Sequence, residues 1–219
     1  MTRVGLIHTL PALAPLFAGW APASLELWHI VDEPLLERIR RRGHIADDDI
    51  ARLAGHVEVS FEIGAQAALV PCSTLSGCVD RLPERLRPRV LKIDEAMLAE
   101  AVQRPGQIVV VATNPATLEP TRQSLLVAAR AAGRVLHPEV RLVDQAFDAY
   151  RRADLALHDR LVIAALHELD READTLVLAQ ASMARVLDQL PAEMRAKVLS
   201  SPHLALTRLA ALAEAPPVL

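Results

Sequence analysis

The sequence predicts an α/β protein made of two similar domains, each a parallel sheet flanked by helices, and three observations carry that prediction. Short apolar runs of strand length alternate with helical stretches along the whole chain. The strongest runs, Val4–Ile7, Ala67–Val70 and Ile108–Val111, are continuous and do not alternate with polar residues, as expected of strands covered on both faces. The order of elements also repeats. Strand, helix, strand, long helix, strand, polar turn and helix occur twice, and the separation from His8 to Cys72 nearly equals that from Asn114 to Gln180.

Taken in order, Arg3–Ile7 reads as the first strand, ending at His8-Thr9. A short helix is expected over 11–20, with Pro11 near its start, where the missing N–H costs little. Leu25–Val31 is the second strand, closed by Asp32-Glu33-Pro34, and a basic helix over 35–42 stops at Gly43. The next helix opens with Asp47, Asp48 and Asp49, whose charge suits the dipole. Its apolar positions Ile50, Leu53, Ala54, Val57 and Phe61 share one face at helical spacing. Gly64 ends it, and the strand that breaks at Cys72 follows. Val90–Ile93 is a candidate fourth strand, with a helix over 94–103 behind it.

The second half opens with the strand over 107–112, which runs into Thr113-Asn114-Pro115-Ala116-Thr117 and a helix over 118–132. Val140–Val143 is the next strand. The segment 156–173 is expected to form a long amphipathic helix with Leu161, Val162, Ala165, Leu166 and Leu169 inward. Thr175–Leu178 is a strand ending at Ala179-Gln180-Ala181-Ser182. Helices over 183–190, 192–199 and 203–215 complete the chain. The two domains are therefore expected at 1–103 and 104–202, with 203–219 free to pack back onto the first. The halves do not visibly match in sequence, so the repeat is one of architecture.

Composition bounds the function. The chain has 219 residues, 52% hydrophobic and 23% charged, with a formal net charge of -3. No basic surface argues for nucleic acid or anionic lipid. Aromatic residues make up only 3%, which leaves little for a base-stacking platform. No apolar stretch approaches the roughly 20 residues needed to span a bilayer. The opening apolar run lacks a cleavage-site pattern and reads as a strand and not as a signal peptide. The two cysteines, Cys72 and Cys78, form no disulfide framework and no CxxC pair, so reduced thiols in the cytoplasm are expected. GxGxxG, P-loop, GxSxG and HExxH patterns are all absent. His158 and His167 lie nine residues apart on one helix, a spacing unsuited to a shared metal, so no metal site is expected.

The stretch Val70-Pro71-Cys72-Ser73-Thr74 carries the chemistry. In an open α/β sheet, ligands bind outside the carboxyl ends of the strands, where this turn lies. A helix N-terminus beside a cysteine stabilises its thiolate, whereas a free cysteine otherwise serves as a small buried space-filler. Ser73 and Thr74 offer hydroxyls and backbone N–H groups to an anion, or simply cap the helix. Thr113 and Thr117 have the same two readings. His8, at a strand end, is either an acid–base group or a structural histidine.

The opening Val4-Gly5-Leu6-Ile7-His8, the Cys72-Ser73-Thr74 turn and the loop Val111–Thr117 together resemble the aspartate/glutamate/hydantoin racemase superfamily. The Cys72 turn is similar to the Cys-Asn-Thr turn that holds the family's first catalytic cysteine. The Thr113–Thr117 loop resembles the one that helps bind the substrate carboxylate. The resemblance implies two flavodoxin-like domains with the active site between them, no cofactor, and proton transfer next to a carboxylate. It also suggests a homodimer. The family's second cysteine turn, Leu-Gly-Cys-Thr, corresponds here to Leu178-Ala179-Gln180-Ala181-Ser182, and glutamine does not exchange a proton at neutral pH. Symmetrical two-base racemisation is therefore not expected. Cys72 remains as sole catalytic thiol, with His8, Ser73, Thr74, Thr113, Asn114, Thr117, Gln180 and Ser182 as the substrate-binding set. One-sided isomerase, decarboxylase or lyase chemistry on a small carboxylic or amino acid fits that set. A catalytically inactive carboxylate-binding or regulatory protein of the same fold is the alternative.

Overall fold

The computed structural model describes residues 1–215, so the last four positions of the expected 203–219 segment lie outside the described residues. The described residues form eight strands in two separate parallel sheets of four. The chain divides into two compact units, Met1–Glu95 together with the segment from Pro202, and Ala96–Ser201.

The first unit contains β1 (Thr2–His8), α1 (Leu13–Trp20), β2 (Leu25–Val31), α2 (Glu33–Arg42), α3 (Asp47–Glu62), β3 (Ala67–Val70), α4 (Ser76–Asp80), β4 (Val90–Lys92) and the start of α5 (Glu95–Gln103). Its sheet order is β2-β1-β3-β4, all parallel. Alternation along β1 sends Ile7 to one face, against Leu35, Ile39, Leu53 and Val57 of α2 and α3. Val4 and Leu6 go to the other, against Leu13 and Phe17 of α1 and Ala205, Leu206 and Leu209 of the last helix. A β-carbon on Gly5 would stand 2.7 Å from Ser60 Oγ, so the bare glycine is what lets α3 lie close on β1. Gly43, at φ 80°, caps α2 by donating its N–H to the Ile39 carbonyl.

The second unit contains β5 (Ile108–Ala112), α6 (Pro115–Ala131), β6 (Glu139–Leu142), α7 (Asp144–Arg151), α8 (Leu155–Leu169), β7 (Thr175–Leu178), a 3₁₀ segment (Ala181–Gln189), α9 (Ala192–Lys197) and β8 (Val198–Ser200), before α10 (Ser201–Glu214). Its order, β6-β5-β7-β8, repeats that of the first. Val109, Val111, Leu176 and Leu178 pack against Ala146, Val162, Leu166 and Met183.

Apart from shifted helix ends, such as α8 stopping at Leu169 and α6 starting at Pro115, the structure departs from the sequence expectation at three places. A separate helix, α7, precedes α8. The expected helix over 192–199 stops at Lys197, and its last residues join a buried strand, β8. The expected helix over 183–190 is a nine-residue 3₁₀ run. Pairing with β7 wins over the local helical pattern at Val198–Ser200 because it gives those buried backbone groups partners.

Candidate functional site

Both sheets gather polar groups just beyond the carboxyl ends of their central strands, and backbone hydrogen bonds show which residues are equivalent. Asp32 donates its N–H to the His8 carbonyl, and Val143 does the same to Ala112. Gln66 likewise donates to Arg3, and Asp174 to Gln107. His8 is therefore the counterpart of Ala112, and Thr9 of Thr113. Continuing the registers Leu6↔Leu69 and Val111↔Leu178 sets Thr9 level with Cys72 and Thr113 level with Gln180. Thr9, buried like Thr113, went unnoticed in the sequence because it follows the more conspicuous His8.

In the first unit, Cys72 follows the fully buried β3 and is half-buried against the α2–α3 core. Its backbone is extended, and its carbonyl accepts the Leu75 N–H as a 3₁₀ turn over Ser73–Leu75 begins. That turn runs directly into α4. Ser73 and Thr74 stand in the first turn, where a helix leaves backbone N–H donors unsatisfied. Cys78 lies on α4, fully buried, its thiol pushed up to about 11 by burial and by Asp49 and Cys72 nearby. The two thiols thus differ in access, Cys72 being half-buried and Cys78 enclosed in the core.

Three further groups stand at this edge. His8 is wholly buried on the α1 side, its ring edge-on to Phe17, with Nε2 2.9 Å from Nδ1 of His29 on β2. Burial, and then His29, lower its pKa from 6.5 to about 4, so it is neutral at pH 7. Asp32, which caps α2, is nearly buried. It accepts from Arg52 Nε at 2.5 Å and Nη2 at 2.9 Å, and lies 2.7 Å from His56 Nε2. Burial acts to raise the Asp32 carboxyl, but the Arg52, His56 and Leu35 hydrogen bonds outweigh it and hold the carboxyl near 2. Asp94, just past β4, accepts from Ser76 Oγ at 3.3 Å, and burial pushes its carboxyl up. A lone carboxylate after a weak three-residue strand gives little signal in sequence. Here it faces the helix that follows Cys72.

The second unit is arranged differently. Gln180 Oε1 accepts from the Thr113 N–H at 2.7 Å and the Asn114 N–H at 3.1 Å, and lies 3.2 Å from Thr113 Oγ1. Gln180 Nε2 is 3.0 Å from the same hydroxyl. Asn114 caps α6 by accepting the Ala116 N–H, and Thr117 Oγ1 donates to the Asn114 carbonyl. The side chains of Asn114 and Thr117 are thus occupied in shaping the helix start. Ser182 is half-buried in the 3₁₀ run. Nearby on α8, His158 is fully buried with Nδ1 2.9 Å from Asp159, which also pairs with Arg185 of the 3₁₀ run.

Among the described residues, no cluster of three or more His, Cys, Asp or Glu could hold a metal ion. None of the described helices is long and apolar enough to cross a membrane.

Two parallel four-stranded sheets of the same strand order, each ending in a polar turn at its central strands, define a duplicated α/β protein of the kind that binds small ligands at strand ends. The chain belongs to the Asp/Glu/Hydantoin racemase family, whose model matches residues 10–209. That membership supports an isomerase/racemase-type enzyme. Solved structures agree in fold. Aspartate racemase from Picrophilus torridus superposes with a TM-score of 0.70 at 14% identity, covering 97% of this chain and 94% of that one. Arylmalonate decarboxylase gives 0.66 at 15% identity, over 98% and 94%. Allantoin racemase from Klebsiella pneumoniae gives 0.64 at 17%, over 97% and 87%. No curated protein sequence matches the chain.

Proposed function

We propose that this protein is a cofactor-independent enzyme that transfers a proton at the carbon next to a carboxylate of a small carboxylic or amino acid, with Cys72 as its sole catalytic thiol. The observation that carries the reading is the contrast at equivalent positions. Cys72 is a half-buried thiol with no hydrogen-bond partner among the described residues, whereas its counterpart is Gln180, already bonded to Thr113 and Asn114.

In this reading the Cys72 thiolate removes the α-proton and the bonding electrons delocalise into the carboxylate. The first-turn N–H groups and hydroxyls of Ser73 and Thr74 meet the charge that develops there. The thiol so formed returns its proton to the same face. In the decarboxylation variant no α-proton is removed: the C–C bond to one carboxylate breaks, carbon dioxide departs leaving the bonding pair on the α-carbon, and Cys72, starting as the thiol, protonates that carbanion. Gln180 has no acidic proton to exchange, so it does not serve as a second acid–base group. The likeness in fold to racemases and to a decarboxylase supports a site open to either outcome.

The test is deuterium exchange followed by NMR in heavy water, across amino acids, hydroxy acids and malonates, with wild type and Cys72→Ser side by side. Exchange or conversion that disappears in the variant establishes the role. Turnover unchanged by the substitution overturns it. Iodoacetamide gives a second reading. Cys72 should alkylate rapidly and be protected by a carboxylate ligand, while Cys78 should stay unlabelled. Binding of carboxylates without exchange would favour the inactive binding protein.

A further inference from the structure

We infer that Gln180 determines specificity by acting as a built-in occupant of the donor cradle at the end of β5, so that a ligand's carboxylate gains the Thr113 and Asn114 N–H groups only by expelling the Gln180 side chain. Two consecutive backbone N–H groups converge on one oxygen, at 2.7 Å and 3.1 Å, with a threonine hydroxyl 3.2 Å from it. That is the arrangement which stabilises a carboxylate or other small oxyanion. Here the oxygen belongs to the protein. The carboxamide is anchored at both ends, because Nε2 also lies 3.0 Å from Thr113 Oγ1. Thr113 is buried, so leaving its N–H unpaired would be costly, and an incoming ligand must replace every contact that Gln180 gives up.

Length explains why this happens in one unit only. Gln180 and Cys72 leave their strands at equivalent points, each the second residue past a buried four-residue strand. Two more atoms in the side chain carry the glutamine oxygen across to the neighbouring strand end, which a cysteine is too short to reach. The class of ligand follows. A small oxyanion enters this cradle only by breaking the hydrogen bonds that Gln180 makes to Thr113 and Asn114.

The experiment uses the full chain labelled with ¹⁵N, with malonate as probe and the Thr113 and Asn114 backbone amides as readout. Those amides should stay insensitive to malonate in wild type at concentrations that saturate their shifts in Gln180→Ala, a difference of roughly tenfold or more in apparent affinity. Gln180→Glu keeps the length and supplies a charged oxygen, so its two amides should also ignore malonate. If Gln180→Ala does not fold, Gln180→Ser is read in the same way. Equal midpoints in wild type and the shortened variant would overturn the inference, as would amides that fail to respond in the shortened one. The inference stands on the geometry at Gln180 and not on the proton-transfer reading. Amide shifts report only this cradle, so either proposal can fail while the other stands.

Discussion

The turn after β3 and the turn after β7 occupy the same place in two units of the same strand order, yet one leaves its key side chain unengaged and the other closes on itself. In the first, Cys72 stands beside the helical turn of Ser73 and Thr74, with Asp94 and Ser76 joined nearby. In the second, Gln180, Thr113, Asn114 and Thr117 satisfy one another. Duplicating a fold duplicates its strand ends, while a single side chain at each decides whether that end is left open or filled. The contrast teaches that architecture sets out equivalent strand ends and side-chain length then decides which of them is occupied.

The largest effect expected from breaking this contrast is at the thiol. Cys72→Ala should reduce turnover or exchange by about a thousandfold, in the range for loss of a positioned acid–base group, with circular dichroism unchanged. A residual rate within tenfold of wild type would remove the distinction between the turns.

The next effect concerns the strand ends themselves, where His8 stands in the first unit and Ala112 in the second. The folded-state pKa of His8 is lowered to about 4, so between pH 6.5 and 4 the unfolded chain takes up a proton that the folded one does not. Stability contributed by neutral His8 is therefore intact above pH 6.5 and lost progressively down to pH 4, by an amount on the order of 3 kcal/mol. Urea unfolding across that range should show the slope, and His8→Phe should flatten it. A variant that keeps the wild-type slope would assign it elsewhere.

Gly5 and its counterpart Val109 sharpen the comparison further. Gly5→Ala puts a β-carbon 2.7–2.8 Å from Ser60 and should cost about 2 kcal/mol in urea unfolding. The pair Gly5→Ala/Ser60→Gly should regain most of it. Smallest of all is the difference between the two helix starts. Asn114→Ala removes a capping acceptor and should cost about 1 kcal/mol, whereas Ser73→Ala, with no cap to lose, should stay within about 0.5 kcal/mol.

The sheets were legible because buried parallel strands are written as local apolar runs, such as Ile108–Val111, which need no partner to be recognised. β8 was not, because Val198–Ser200 continues a helical pattern and becomes a strand only where Leu176–Leu178 present an edge to it. The Cys72 turn was readable as a candidate from its place after β3. What Gln180 does was hidden, since its hydrogen bonds reach back 66 and 67 residues. His8 with His29, and Asp32 with Arg52 and His56, are likewise pairs across elements, and sequence shows each partner only as an isolated polar residue. Helix capping at this turn falls to Asn114, while the Thr117 hydroxyl donates to the Asn114 carbonyl and caps no N–H, a difference that sequence spacing does not reveal.

The ring contacts around His8 extend further than that histidine. Phe17 meets Trp20 at 5.6 Å, and Trp20 meets His203 of α10 at 5.5 Å. Both tryptophans of the chain, Trp20 and Trp28, fall in the first unit, while the sole tyrosine, Tyr150, falls in the second. The molecule thus carries its own optical labels. Tryptophan emission reports the half that holds Cys72, and because α10 rests beside Trp20, it also registers the docking of the chain's final helix.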